Sequence, residues 1–171
     1  MKIMRNLKSL LLIAVFTLGL GGVTNAQKMG HIDFEKLVAE MPATKKLKAD
    51  IEKLGKTYQD EIEGMGKKLD AKIKKYTAEQ GNQTEEINKM RAQEVQTDQQ
   101  RYEQLRQTAY QEMQKKQAEG LKPIIEKAQK AIEEVAATKG ILYVLDASVG
   151  KGLLVKKGED LYAAVKAKLG F

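Results

Sequence analysis

Few side chains in this sequence could carry out chemistry. Its 171 residues include one histidine, His31, and no cysteine. A thiol nucleophile and a Cys/His zinc cluster are therefore excluded. After residue 26 the one serine is Ser148, and no second feature supports a Ser/His/Asp arrangement around it. We interpret His31 as a structural residue, with a pH-sensing role as the alternative.

The stretch Gly150–Gly152, with Lys151 at its centre, has the composition of a phosphate-binding loop. It lacks the Gly-x-x-x-x-Gly-Lys-Ser/Thr spacing that such a loop requires, and we interpret it as a β-turn. The carboxylates are interspersed with lysines and are typical of solvated helix faces. The sequence therefore predicts neither an enzyme nor a bound cofactor or metal.

Residues 1–26 have the pattern of a secretory signal peptide. Three basic residues open it: Lys2, Arg5 and Lys8. An apolar core over 10–20 follows, and Thr24–Ala26 ends in small residues at the spacing of a cleavage site. The core is shorter than the roughly 20 residues of a membrane span. We expect export to the periplasm by a cleaved signal peptide; an N-terminal membrane anchor is the alternative.

The clearest periodicity in the chain is that of one long helix. Its apolar residues recur at intervals of 4, 3, 4, 4, 3, 4, 4 and 3, which averages about 3.6 residues, the repeat of an unstrained α-helix. The 4-4-3 block is an eleven-residue repeat, so this seam is expected to run nearly straight or slightly right-handed. The hairpin seam consists of Leu47, Ile51, Leu54, Tyr58, Ile62, Met65, Leu69, Ile73 and Tyr76.

A second long helix is predicted after a break at 81–84. Thr84 suits its N-cap, and the helix continues to about Lys139. So short a link between two long helices predicts an antiparallel hairpin, in which residues whose numbers sum to about 165 face each other. Its apolar seam is thin at the centre, where glutamine predominates: Gln93, Gln96, Gln99, Gln100, Gln104, Gln107, Gln111, Gln114 and Gln117.

The two ends of the chain have strand-like patterns instead. We predict a short strand over 28–33, a buried strand over 141–145 and another over 153–155. A short terminal helix is expected to carry Leu161, Val165 and Leu169. The candidate core residues of this part are Ile32, Leu142, Val144 and Leu154.

The predicted fold is therefore mainly α (α+β). A helical hairpin arm over 44–139, with its tip near 81–84, is attached to a small β body built from 27–43 and 140–171. Three short strands and two short helices make a marginal core for a single chain. We expect the body to be stabilised by assembly with further copies of itself.

This layout resembles the Skp/OmpH family of periplasmic chaperones. The resemblance rests on the order of the opening strand Lys28–Asp33, the charged hairpin, the closing stretch Tyr143–Ser148 and the terminal helix after Asp160-Leu161. It implies a homotrimer whose β body carries three helical arms, and a cavity that holds unfolded outer-membrane proteins without ATP. Tyr162 departs from the small hydroxyl residue expected there. The arm is not strongly basic, and we assign no residues to a lipopolysaccharide site.

Five lysines near the predicted tip form a candidate client-binding zone. A positive surface of this kind attracts acidic polypeptide segments. The alternative is an ordinary solvated helix face. The five residues are Lys67, Lys68, Lys72, Lys74 and Lys75.

Charge and hydrophobicity also bear on two other possible partners, nucleic acid and acidic lipid. The mixed signs of charge along the predicted helices argue against nucleic acid, which favours a patch of one sign. Peripheral contact with acidic lipid stays open, but the lack of a broad apolar helix face argues against insertion. A structural coiled-coil protein of the envelope that binds no client is the second functional hypothesis.

Overall fold

The computed structural model describes residues 28–171, so the predicted signal peptide lies outside the described part of the chain. The mainly α (α+β) prediction is confirmed. Among the described residues, no helix combines the length and the apolar character needed to cross a bilayer. The elements in chain order are β1 (Met29–Ile32), α1 (Phe34–Glu40), α2 (Pro42–Glu79), a 3-10 turn (Gln80–Asn82), α3 (Glu85–Lys139), β2 (Tyr143–Asp146), β3 (Glu159–Asp160) and α4 (Tyr162–Leu169).

Helices α2 and α3 form the hairpin arm. Pro42 occupies the first turn of α2, where its missing N–H leaves no helical hydrogen bond unmade. The Thr84 hydroxyl accepts a hydrogen bond from the Ile87 N–H at 3.3 Å and caps α3. Glu85 and Glu86 follow in the first turn, where the helix dipole favours negative charge. The chain reverses its direction between the 3-10 turn, which ends at Asn82, and the start of α3 at Glu85.

The pairing of the two arm helices differs slightly from the predicted one. Gly55 lies beside Met113 and Gly66 beside Tyr102, so facing residue numbers sum to 168 instead of about 165. The difference arises because the 3-10 turn continues the first helix through Asn82, which moves the centre of the reversal toward Thr84. All nine residues of the hairpin seam are half-buried, and none of the α2 residues is fully buried.

The body is a three-stranded sheet covered by helices. All of its strands are parallel and their order is β2-β1-β3, with Gly30 opposite both Val144 and Glu159. One face packs on α1, α4 and the last turns of α3. The buried cluster consists of Ile32, Leu37, Met41, Ile124, Ala128, Ala131, Ala136, Ile141, Leu161 and Val165.

The predicted strand over 153–155 is wrong. These residues form no regular structure, and Leu154 is 94% exposed. The third strand is Glu159–Asp160. It directly precedes Leu161, whose N–H donates to the His31 carbonyl at 3.0 Å and whose side chain is fully buried. Pairing there places α4 on the core, whereas residues 153–155 pair with no strand of the described sheet.

The predicted core position Leu142 is also wrong for a single chain, since its side chain is 66% exposed. Helix α3 ends at Gly140 in the left-handed conformation, with φ of 65°. The Ile141 N–H then donates to the Ala136 carbonyl at 2.9 Å, and this turn directs Ile141 into the core. Leu142 therefore points outward, while Ile32 is buried and Val144 half-buried.

The closing stretch of the sequence caps helix α1. Phe34 N–H donates to Asp146 at 3.4 Å, and Glu35 N–H donates to the Ser148 hydroxyl at 3.0 Å. Asp33 accepts from Lys36 N–H at 2.9 Å, so three donors of the first turn have partners. Burial raises the pKa of Asp146, but the hydrogen bonds from Ser148 and Phe34 more than offset it and leave the pKa below its usual value.

Two glycines of the arm predict opposite effects of alanine. A Cβ at Gly120 would lie 2.3 Å from Leu47 Cδ1, whereas one at Gly64 would meet nothing within 4 Å. Gly64→Ala should stabilise the arm by up to about 1 kcal/mol through helix propensity. Gly120→Ala gains the same propensity, but it forces Leu47 to move at an overpacking cost of about 1–3 kcal/mol, so its net effect should be destabilising. Thermal unfolding followed by circular dichroism measures both; shifts of the same sign would contradict the packing at the base of the arm.

Candidate functional site

The five lysines of the candidate client-binding zone do not share one face of α2. Lys67 and Lys74 are seven residues apart and lie on one face, as do Lys68 and Lys75 on a neighbouring one. All four are exposed. Lys67 pairs with Glu63 at 2.5 Å. The other three form no ion pair with any residue of the described part of the chain.

Lys72 is held between the two helices instead. Its ammonium donates to Glu94 at 2.6 Å and also contacts Asp98, and about a quarter of its side chain is exposed. The Tyr76 hydroxyl donates to the other oxygen of Glu94 at 2.7 Å. The charge of Lys72 is therefore compensated within the arm.

The polar contacts continue toward the tip. Arg91 donates to Glu79 at 2.6 Å, and its guanidinium lies 4.5 Å from the centre of the Tyr76 ring. The stacking of a guanidinium on an aromatic ring and the ion pairs between the two helices both fix the helices relative to each other. We call this set the tip ladder, and its members are Lys72, Tyr76, Glu79, Arg91, Glu94 and Asp98.

The hydrogen bonds of the tip ladder favour the charged forms of Lys72 and Glu94. The hydrogen bonds from Lys72 and then Tyr76 lower the pKa of Glu94. The bonds to Asp98 and Glu94 raise the pKa of Lys72, and the bond to Glu94 raises that of Tyr76. Sequence reasoning missed this ladder. The sequence signal that could have indicated it is helical spacing on both sides of the seam. Residues 72, 76 and 79 are four and three positions apart on α2, and residues 91, 94 and 98 are three and four positions apart on α3.

The body presents an uncovered apolar surface. Strand β2 is at the edge of the sheet, and the residues around it and in the following loop leave large apolar side chains in solvent. A groove of about 790 Å³ runs between β2 and the end of α3, lined in part by Ile132, Ala136 and Val144. The exposed apolar residues are Met29, Leu142, Tyr143, Leu145, Val149, Leu154 and Val155.

Two further features of the described residues are the histidine of the central strand and the exposed surfaces of the arm and the body. Among residues 28–171 no three His, Cys, Asp or Glu side chains are placed to hold a metal ion. His31, in the central strand, is buried and its Nδ1 has no hydrogen-bond partner in the described part of the chain. The exposed features are charged and amide-bearing helix faces on the arm and an apolar surface on the body.

Known proteins share this architecture of a helical arm on a small β body. Its fold is shared with a crystal structure from Caulobacter crescentus of a protein described as an outer membrane chaperone (OmpH-like), with a TM-score of 0.73, 16% identity and 82% of each chain covered. Residues 28–169 match the family described as outer membrane protein (OmpH-like). The chain belongs to this OmpH-like family. Among curated protein sequences, none matches it.

The tip ladder predicts an acid-sensitive arm. Because the pKa of Glu94 is lowered from 4.5, its stabilising effect is present above that value and is lost as the pH falls through the folded-state pKa. Glu94→Gln should therefore lower the unfolding temperature at pH 7 and reduce the further loss on acidification to about pH 3. Glu112→Gln, at an exposed position of the same helix, is the matched control. Equal pH profiles for the wild type and Glu94→Gln would refute the role of the ladder.

Proposed function

We propose that this chain is an ATP-independent holdase chaperone of the periplasm, which binds unfolded outer-membrane proteins between helical arms and prevents their aggregation. One observation carries the proposal: a long two-helix arm places most of its apolar residues between its helices and presents mainly polar faces, with Met90 and Tyr110 as exposed large apolar side chains. Such a surface makes many weak contacts and encloses no deep pocket. Family membership and the chaperone description of the Caulobacter crescentus protein support it. The proposal includes no enzymatic activity and no nucleic-acid partner.

Clients reach the arm first through its free lysines. Lys68, Lys74 and Lys75 project into solvent near the tip and attract acidic segments of an unfolded chain. Contacts between exposed charges are weak and exchange quickly, which suits a protein that must release its client. Lys72 serves arm stability in this scheme, because Glu94 and Asp98 already compensate its charge.

The body assembles three chains and so brings three arms together. It exposes seven large apolar residues at and around β2 and in the loop that follows, and exposed apolar clusters commonly mark sites of protein–protein contact. In the proposed trimer the loop that carries Leu154 and Val155 packs against the groove beside β2 of the next chain. A contact between two different surfaces forms a ring when the rotation from one chain to the next closes on itself, and this proposal takes it to close after three chains. The apolar residues 153–155, which pair with nothing in one chain, then gain a partner.

The alternative is a structural coiled-coil protein of the envelope without clients. It shares the arm and the assembling body but needs neither free lysines at the tip nor a polar cavity. Peripheral contact with acidic lipid, through the same lysines, is compatible with both functions.

Sedimentation of the mature protein, with and without a urea-unfolded β-barrel protein, tests the proposal. We expect a trimer that keeps the diluted barrel protein in solution in a complex of defined size. Leu154→Lys should reduce the number of subunits, because it places a charge in the proposed contact. Met90→Lys, at an exposed apolar position near the tip, is the control. A trimer that leaves the client to aggregate would favour the structural alternative.

Charge reversal tests the role of the lysines. Lys68→Glu, Lys74→Glu and Lys75→Glu together should slow client capture and make its rate less dependent on salt, because the electrostatic attraction is removed. Stopped-flow mixing with a fluorescent client at several salt concentrations measures both. The matched control reverses three exposed lysines nearer the base of the same helix, Lys48, Lys53 and Lys56. Identical capture rates for the two triple variants would contradict the proposed role of the tip lysines in client capture.

A further inference from the structure

One face of helix α3 consists of glutamine alone. Between 93 and 114, every residue within a sector of about 80° around the helix axis is glutamine, counted at 100° per residue. All of them are exposed. We call this face the glutamine stripe, and its members are Gln93, Gln96, Gln100, Gln104, Gln107, Gln111 and Gln114.

The stripe lies on the side of α3 that faces away from α2. Tyr102, Ala109 and Met113, which lie against α2 or are buried, are on the opposite side of the helix. Glu103 borders the stripe on one side, Thr97 and Thr108 border it on the other, and no charged residue enters it. The stripe is therefore a neutral band on an otherwise charged arm.

Helix propensity does not explain this composition. Glutamine is a good helix former, but lysine, glutamate and alanine are equally good or better. Those three residue types fill most other solvent positions of the arm, such as 115, 116, 118 and 119. A choice made for propensity or solubility alone would mix them into the stripe.

The amides of the stripe are free to bind. Each carries two donors and an acceptor, with no net charge. Of the seven, only Gln114 has a side-chain hydrogen bond within residues 28–171, to the Tyr110 hydroxyl at 2.5 Å. A ligand that matches such a band is itself neutral, elongated and rich in both donors and acceptors.

We propose that the glutamine stripe binds the backbone of an extended segment of unfolded polypeptide. An extended chain has alternating N–H and C=O groups whatever its side chains. The stripe spans 21 residue steps, or about 32 Å at 1.5 Å per residue. An extended chain of that length has about nine residues at roughly 3.4 Å each. A transmembrane β-strand has about 9–11 residues, so one stripe matches one unfolded strand.

The spacing of the amides keeps this binding loose. Glutamines three or four residues apart are about 4.5–6 Å apart along the helix. An extended chain repeats on one side every two residues, at about 6.8 Å. The two repeats do not coincide, so a bound strand makes some of its hydrogen bonds at any register and can slide to another. Water competes for each bond, which keeps every contribution small.

The inference rests on the proposed holdase function, and salt separates the stripe from the lysines. Contacts made by charged lysines weaken as salt screens them, whereas hydrogen bonds between neutral amides do not. Loss of the stripe should therefore lower affinity by the same factor at low and high salt. Loss of the lysines should lower it mainly at low salt.

The test replaces Gln100, Gln104, Gln107 and Gln111 with alanine in the full mature protein. Alanine keeps the helix and removes the amides. We expect affinity for a urea-unfolded β-barrel protein to fall about tenfold, equally at low and high salt, with unchanged helicity and subunit number. A second variant with glutamate at these positions keeps the side-chain length, removes the donors and should also weaken binding. The matched control replaces four exposed charged residues on the same helix with alanine: Glu112, Lys115, Lys116 and Glu119.

Three results would overturn the proposal. The first is a glutamine-to-alanine variant that binds the client as tightly as a wild type that does hold it. The second is an equal loss of affinity in this variant and in the charged-residue control. The third is a change in the number of subunits of the variant, which would mean that the stripe packs against another copy of the chain. If the wild type binds no client, the holdase function itself fails, and this outcome is distinct from the other three.

Discussion

The fold depends on the pairing of β1 with strands from the far end of the chain. Parallel strands cannot be joined by a tight turn and need a crossover connection. Here the crossover from β1 to β2 contains α1, α2 and α3, so the arm is itself the connection. Both ends of the arm are held because β1 lies between β2 and β3 and its helices share one buried cluster. The hairpin can extend far from the body without losing its anchor.

The helices could be predicted from the local periodicity of their apolar residues. The third strand could not be predicted, because its residues carry no local strand pattern. The seam and the caps at Asp33 and Thr84 follow from side-chain spacing and hydrogen bonding over a few residues. Glu159–Asp160 has no apolar pattern, because this strand is defined by its backbone pairing with Gly30 and His31. The run at 153–155 has the strand pattern but no partner within one chain. Sequence reasoning had no means of separating a strand from an unpaired apolar loop.

Composition singled out the lysines near the tip as a candidate zone, but it did not show that their environments differ. The sequence does not distinguish the five lysines near the tip. In the structure, however, Lys72 lies at the edge of the seam and the others do not. Which lysine meets an acid on the other helix depends on the pairing, and the predicted pairing was off by three residue numbers. The same pairing determines that the glutamines of α3 face away from α2. Before the second helix was placed, they indicated only a thin seam.

The arm therefore separates the forces that hold it from those offered to a partner. Apolar and ionic side chains meet between α2 and α3, where partial burial strengthens both kinds of contact. Neutral amides and unpaired lysines remain on the outer faces, where water competes with every contact. An arm with its apolar residues outside would bind clients more tightly but would also aggregate with other arms. Under the proposed holdase function, apolar residues in the seam and polar side chains on the outer faces make a stable arm compatible with reversible binding in one two-helix structure.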